Sequence, residues 1–319
     1  MKRREFLHSS LAALLLPVAW HAQAQGQTFV TILTGGTSGV YYPLGVALSQ
    51  AVGQVLPNAK VNVQSTKASA ENLNLLAKGR GEVAFTLGDT FAHAWNGDAE
   101  AGFQTPLKQL RTLAAIYPNY IQIVATKDSG IRSLADLKGK RVAVGAPRSG
   151  TEINARTIFQ AAGFSYDDLG KVEYVSFGES VELMKNRQLD ATLISAGLGV
   201  AAVRDLAAAL PIVLVPVPEA VVAKIGNPVF QSETITAGTY EGQSEEVPTV
   251  AIRNYLATHA GVDEAVVYAI TKALFAHRDA LVAAHSTAKG IQLERAAKNP
   301  PAPLHPGAAR YYRERGVLS

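Results

Sequence analysis

Twice along this chain an apolar strand runs into a glycine- and hydroxyl-rich loop and then into an amphipathic helix. The first unit covers Val30–Val52 and contains Gly35-Gly36-Thr37-Ser38-Gly39. The second covers Arg141–Gly163 and contains Gly145-Ala146-Pro147-Arg148-Ser149-Gly150-Thr151. A strand feeding a helix through a short loop is the start of a βαβ unit, so two such units direct the chain to an α/β architecture.

The rest of the pattern agrees. Strands are expected at Phe29–Leu33, Lys60–Gln64, Val83–Leu87, Leu110–Ile116, Ile121–Thr126, Arg141–Val144, Val172–Phe177, Ala191–Ser195, Ile212–Val215 and Thr249–Arg253. Helices are expected after the first loop, from Ser69, from Asp89 to Trp95, and at Leu134–Gly139, Thr151–Ala162, Glu179–Asn186, Val200–Ala209 and Asp263–Ala284. The proline-rich tail ending in Arg310–Arg315 reads as a loop. A chain of 319 residues has room for two lobes. Tyr117-Pro118-Asn119 reads as the crossing between them and Thr236–Gly242 as the crossing back. The lobes are then 25–118 with 237–319, and 119–236, with a cleft between.

The N-terminus carries an address. Lys2, Arg3 and Arg4 precede an apolar run from Leu11 to Trp20, and Ala22-Gln23-Ala24 supplies the small residues of a cleavage site. This is the layout of an export signal over 1–24, and the apolar run is too short to span a bilayer. Arg3-Arg4-Glu5-Phe6-Leu7 also matches the twin-arginine pattern, the general secretion signal being the alternative. Cleavage would remove three cations and one anion and lower the formal charge from +4 to +2. Such a balance, without basic clusters among aromatics, speaks against nucleic acid. A periplasmic monomer is expected.

Three helix starts are built to hold an anion: Thr37-Ser38-Gly39, Ser65–Ser69 and Arg148–Thr151. Each supplies hydroxyl donors beside first-turn N–H groups, and two add a cation, Lys67 or Arg148. Each alone reads equally well as a cap and a tight turn; together they favour a ligand. Asp89 and Glu152 read as helix-start carboxylates, and Tyr41, Tyr42 and Tyr117 as core rings or as a ligand wall.

Other chemistries lack their residues. There are no cysteines, no nucleotide loop of either common glycine spacing, no H-E-x-x-H and no G-x-S-x-G. Ser286-Thr287-Ala288-Lys289 matches S-x-x-K without its companion motifs, leaving an exported hydrolase using Ser286 and Lys289, or Asp89, as a remote alternative. No cofactor, metal or enzymatic activity is expected.

Thr37-Ser38-Gly39-Val40-Tyr41-Tyr42-Pro43-Leu44-Gly45 resembles the opening motif of the TAXI solute receptors, the extracytoplasmic binding proteins of one branch of TRAP transporters. The likeness continues through Ser69–Leu73, Asp128–Val142, Ser149–Glu152, Ala237–Tyr240, Ile270–Phe275 and Pro303–Ala308. It implies a type II periplasmic-binding-protein fold, two α/β lobes joined by two crossing segments and closing on a ligand. It also implies capture of a small carboxylate such as glutamate or 2-oxoglutarate for delivery to membrane subunits. A sensing adaptor for a membrane signalling protein is the alternative on the same scaffold. Carried over by position, the site comprises Ser38, Tyr41, Ser69, Asn72, Asp89, Tyr117, Ser149, Gly150, Thr151 and Ser195. To these the residue reading adds Thr37, Lys67 and Arg148. The sequence departs from the family at Lys67 and Arg148, where small residues are usual, and at Leu87, where glutamine is usual. A more cationic pocket follows, suited to a dianionic organic acid.

Overall fold

The computed structural model describes residues 27–319. The export signal expected over 1–24 lies outside them.

The first unit places β1 (Thr28–Leu33), α1 (Tyr41–Val55), β2 (Ala59–Gln64), α2 (Ser69–Ala77), β3 (Val83–Leu87) and α3 (Gly88–Asn96) in succession. A long β4 (Leu110–Thr126) follows. The second unit supplies β5 (Arg141–Ala143), α4 (Gly150–Ala161), β6 (Lys171–Glu173), α5 (Phe177–Lys185), β7 (Ala191–Ala196) and α6 (Ala201–Ala209). Next come β8 (Ile212–Val215), α7 (Glu219–Ile225), β9 (Phe230–Ile235) and β10 (Val247–His259). The chain then folds as α8 (Glu264–Ala276), α9 (Arg278–Ala284), α10 (Leu293–Ala296) and α11 (Pro306–Glu314).

The ten strands among the described residues belong to one sheet, ordered β2-β1-β3-β10-β4-β7-β5-β6, with β8 on β4 and β9 on β10. β1 is parallel to β2 and β3, and β5 is parallel to β6 and β7. Two parallel half-sheets are therefore joined by two long antiparallel strands. β3 and β7 are buried at every position, as strands covered on both faces must be, whereas β2 alternates between half-buried and exposed.

The division of labour along β4 and β10 is sharp. The first half of β4 pairs with Arg253–His259, and Tyr120–Ala125 pairs with β7. Val247–Ile252 pairs with β9. The register between β4 and β10 slips between Arg253 and Tyr255, a bulge at the passage from one half to the other.

Several segments differ from the sequence expectation. β4 is continuous through Tyr117-Pro118-Asn119, because Pro118 lies beside that bulge, where a missing ladder N–H is tolerated. The strand expected over Val172–Phe177 stops at Glu173, since Ser176 and Glu179 form a capping box that starts α5. The helix expected over Asp263–Ala284 breaks at His277 into α8 and α9. Leu134–Leu137 is a single 3₁₀ turn, and α7 and β9 had no expectation. The tail is helical: Pro306 sits in its first turn, His305 accepts from the Gly307 N–H, and Tyr311 and Tyr312 are buried.

Candidate functional site

A cavity of about 100 Å³ opens between the two half-sheets. Its walls are helix starts. Gly39, Val40 and Tyr41 come from the head of α1, Lys67, Ala68 and Ser69 from α2, Ser149, Gly150 and Thr151 from α4, and Ser176 and Phe177 from α5. Leu87, the residue preceding α3, adds a fifth. Helix geometry leaves the first N–H groups of each without an intrahelical acceptor and places partial positive charge there. Convergence of several such ends makes a place for an anion without any metal. Among the described residues no group of three or more metal-ligating side chains comes together.

Of the residues expected from sequence, Tyr41, Lys67, Ser69, Ser149, Gly150, Thr151 and Ser195 line this cavity. Lys67 is exposed and is the one charged residue in its lining among the described residues. Tyr41 is a wall: its ring stacks on Phe85 at 5.2 Å, and its hydroxyl donates to Asn254 Oδ1 at 2.5 Å. Burial pushes that hydroxyl far above the usual tyrosine range.

The others stand outside the lining. Thr37 is exposed on the loop, and the Ser38 carbonyl accepts from Ala202 N–H at 3.3 Å. Arg148 is exposed with φ +61°, and its carbonyl accepts from Glu71 N–H at 3.2 Å. Asn72 is a buried strut: its amide donates to the carbonyls of Thr34 at 2.7 Å and Phe85 at 2.9 Å. Tyr117 is buried in the core, and its hydroxyl has no partner among the described residues. Two expected caps act differently. Ala68 precedes α2 instead of Ser69, whose hydroxyl accepts from Leu87 N–H at 3.2 Å. Ala68 holds φ +68° and ψ −154°, a region disfavoured for any residue with a side chain, so strain is stored at the cavity wall.

Asp89 reaches across to the second half of the molecule rather than capping α3. Its carboxylate accepts from Asn154 Nδ2 at 2.6 Å, and Asn154 Oδ1 accepts from the Ser195 hydroxyl at 2.9 Å. A second polar chain lies beside it. Asn254 Nδ2 donates to the Tyr117 carbonyl at 3.0 Å and to Asn119 Oδ1 at 2.6 Å, and Asn119 Nδ2 donates to the Ser195 carbonyl at 2.9 Å. Asn119, Asn154, Asn254, Ser176 and Phe177 escaped the sequence reading. Only Ser176 had a local signal, the Ser-x-x-Glu of a capping box.

Burial raises the Asp89 carboxyl above its ordinary 3.8, against the opposing pull of the Thr90 N–H, His93 and Asn154. The folded chain therefore holds this proton at pH values where the unfolded chain has released it. Asp89's contribution to stability is complete below 3.8 and is lost as pH rises through the folded-state value. Asp89→Asn keeps an acceptor for Asn154 and removes the titration. Its melting temperature is expected to fall less from pH 4 to 7 than that of the parent. Parallel curves in calorimetry would refute this assignment.

A sequence model of the NMT1-like family matches residues 32–316. Among solved structures, periplasmic binding protein BugD aligns at TM-score 0.59 and 12% identity, covering 91% of this chain and 94% of its own. A structure described as a periplasmic transporter aligns at 0.55 and 12% identity, covering 92% and 95%. A protein from Bordetella bronchiseptica RB50 aligns at 0.51 and 18% identity, covering 91% and 81%. The fold is the two-lobed α/β fold of periplasmic binding proteins.

Proposed function

We propose, since this chain belongs to the NMT1-like family, that it is a solute receptor that closes on a small organic carboxylate outside the cytoplasm. The observation that carries this reading is the convergence of helix starts from both half-sheets on one cavity. The export-signal layout supports the location, and no helix among the described residues is long and apolar enough to cross a membrane. The TAXI-like motifs support delivery to membrane subunits of a TRAP transporter as the finer reading.

The lining refines the ligand. Among the described residues it offers one cation and no carboxylate, so none of them pairs with an ammonium group. A 2-oxo acid such as 2-oxoglutarate fits this better than glutamate. One carboxylate lies on the helix starts and Lys67, and the carbon chain lies against Tyr41, Leu87 and Phe177. The lobes are proposed as 25–118 with 237–319, against 119–236. Strand pairing adds one adjustment: 237–252 travels with the second lobe, because Val247–Ile252 is paired to β9.

Thermal shift of ligand-free protein against pyruvate, 2-oxoglutarate, succinate and glutamate tests the reading; no response to any of them would end it. Lys67→Ala is expected to weaken the best carboxylate roughly three- to tenfold, the modest effect of an exposed cation. Arg148→Ala is expected to leave it unchanged. Equal losses in the two variants would restore a clamp with a cation on each side.

A further inference from the structure

A second concavity, of about 600 Å³, lies far along the chain from the first site's residues. It is formed by the C-terminal half of α8, the start of α9, the segment entering α10, and the end of α11. Its floor is apolar: Phe275 stacks on buried Tyr311 at 5.7 Å, and Ile291 is buried beside them. Its rim is cationic. Among the described residues, Lys272, Arg278 and Arg315 line it against a single acid, Glu294. None of these four takes part in an ion pair among the described residues. The neighbouring Glu314 is held by Arg310 at 3.1 Å and Tyr268 at 2.6 Å.

Solvated cations at helix C-termini would need no further account, and Arg315, just past α11, is one. Arg278 is different. It opens α9, where the helix dipole disfavours a cation. One of its amino groups donates to the Lys289 carbonyl at 2.8 Å, while its Nε is sealed from solvent with no acceptor among the described residues. A native protein seldom leaves a buried donor unmet. Turning the guanidinium into the groove, onto a carboxylate, gives Nε and a terminal N–H a bidentate partner.

We propose that this groove docks an acidic segment, with an apolar residue at its centre, from the membrane protein that receives the ligand. The identity of that partner rests on the receptor reading above. Charge complementarity selects an acidic occupant. The spread of the cations over α8, α9 and α11, around about 600 Å³, suits a polypeptide better than a single small anion.

The test uses fluorescence polarisation of the full chain with fluorescein-labelled Glu-Glu-Phe-Glu-Glu. Saturable binding at low salt that weakens at physiological ionic strength is expected, with no binding of Lys-Lys-Phe-Lys-Lys. The double variant Lys272→Glu with Arg315→Glu changes two exposed residues and is expected to lose roughly tenfold or more. Its melting temperature and its response to carboxylates should stay those of the parent. Arg278→Lys keeps the charge, loses the fork, and is expected to bind the peptide more weakly than the parent. Absence of binding at low salt, or equal binding by the double variant, overturns the proposal. A carboxylate response lost with peptide binding intact would instead count against the receptor reading alone.

Discussion

Gly150→Val is expected to weaken ligand capture by roughly 5- to 150-fold while each half of the molecule stays folded. Gly150 opens α4 and faces the first half-sheet at close quarters. A Cβ built there lies 2.6 Å from Leu87 Cδ1, 2.8 Å from Ser69 Oγ and 2.9 Å from Thr90 Oγ1. All three neighbours belong to the other half-sheet's elements, so the clash arises only when the two halves meet. Overpacking of this kind costs about 1–3 kcal/mol, equivalent to roughly 5–150-fold in affinity. The variant has an escape: it can remain open, with α4 correctly formed on the second half. Titration calorimetry with the carboxylate that responds best should show the loss. Small-angle scattering should show a larger radius of gyration than the parent's at saturating ligand. Parental affinity in this variant would mean that α4 does not approach Leu87 in the bound state.

Asn254→Leu is expected to destabilise the whole chain by about 3–4 kcal/mol. Asn254 is fully buried at the β4–β10 bulge and serves three partners: the Tyr41 hydroxyl, the Tyr117 carbonyl and Asn119. Leucine fills similar space and serves none of them. The stranded groups cannot reach water, so most of their desolvation cost stays unrecovered. The urea midpoint should fall with little change in slope. Ligand affinity should fall with it, because Asn119 would lose the partner that holds it beside the cavity. A midpoint close to the parent's would show that water enters the bulge and replaces the side chain.

The α/β class was legible because it is written in short range. A strand, a glycine turn and a helix occupy about twenty consecutive residues, and both units fold as their patterns require. The same locality explains why Ser149 was found as a helix start: its hydroxyl accepts from Glu152 N–H at 3.1 Å, three residues on. Asn154, Asn254 and Asn119 carry no such mark. Each is an ordinary amide whose partner lies on another element, so only the assembled sheet assigns it a task. Lys67 and Arg148 looked equivalent as strings. Both are exposed, but one lines the cavity, whereas the other stands outside its lining at a left-handed backbone position and contributes its carbonyl. That difference depends on local φ, which a lone arginine does not announce.

The position of β10 between β3 and β4 has a consequence for synthesis. Leu87 has to wait for Asn254 before its side of the ladder is filled, and Leu110 for His259. Until β10 is made, β3 and the first half of β4 each carry a naked edge of buried-type sequence, open to pairing with a neighbouring chain. Closure depends on contacts between residues far apart, so folding is expected to be slow and its nascent forms aggregation-prone. A chain truncated before β10 should therefore be insoluble rather than a working half.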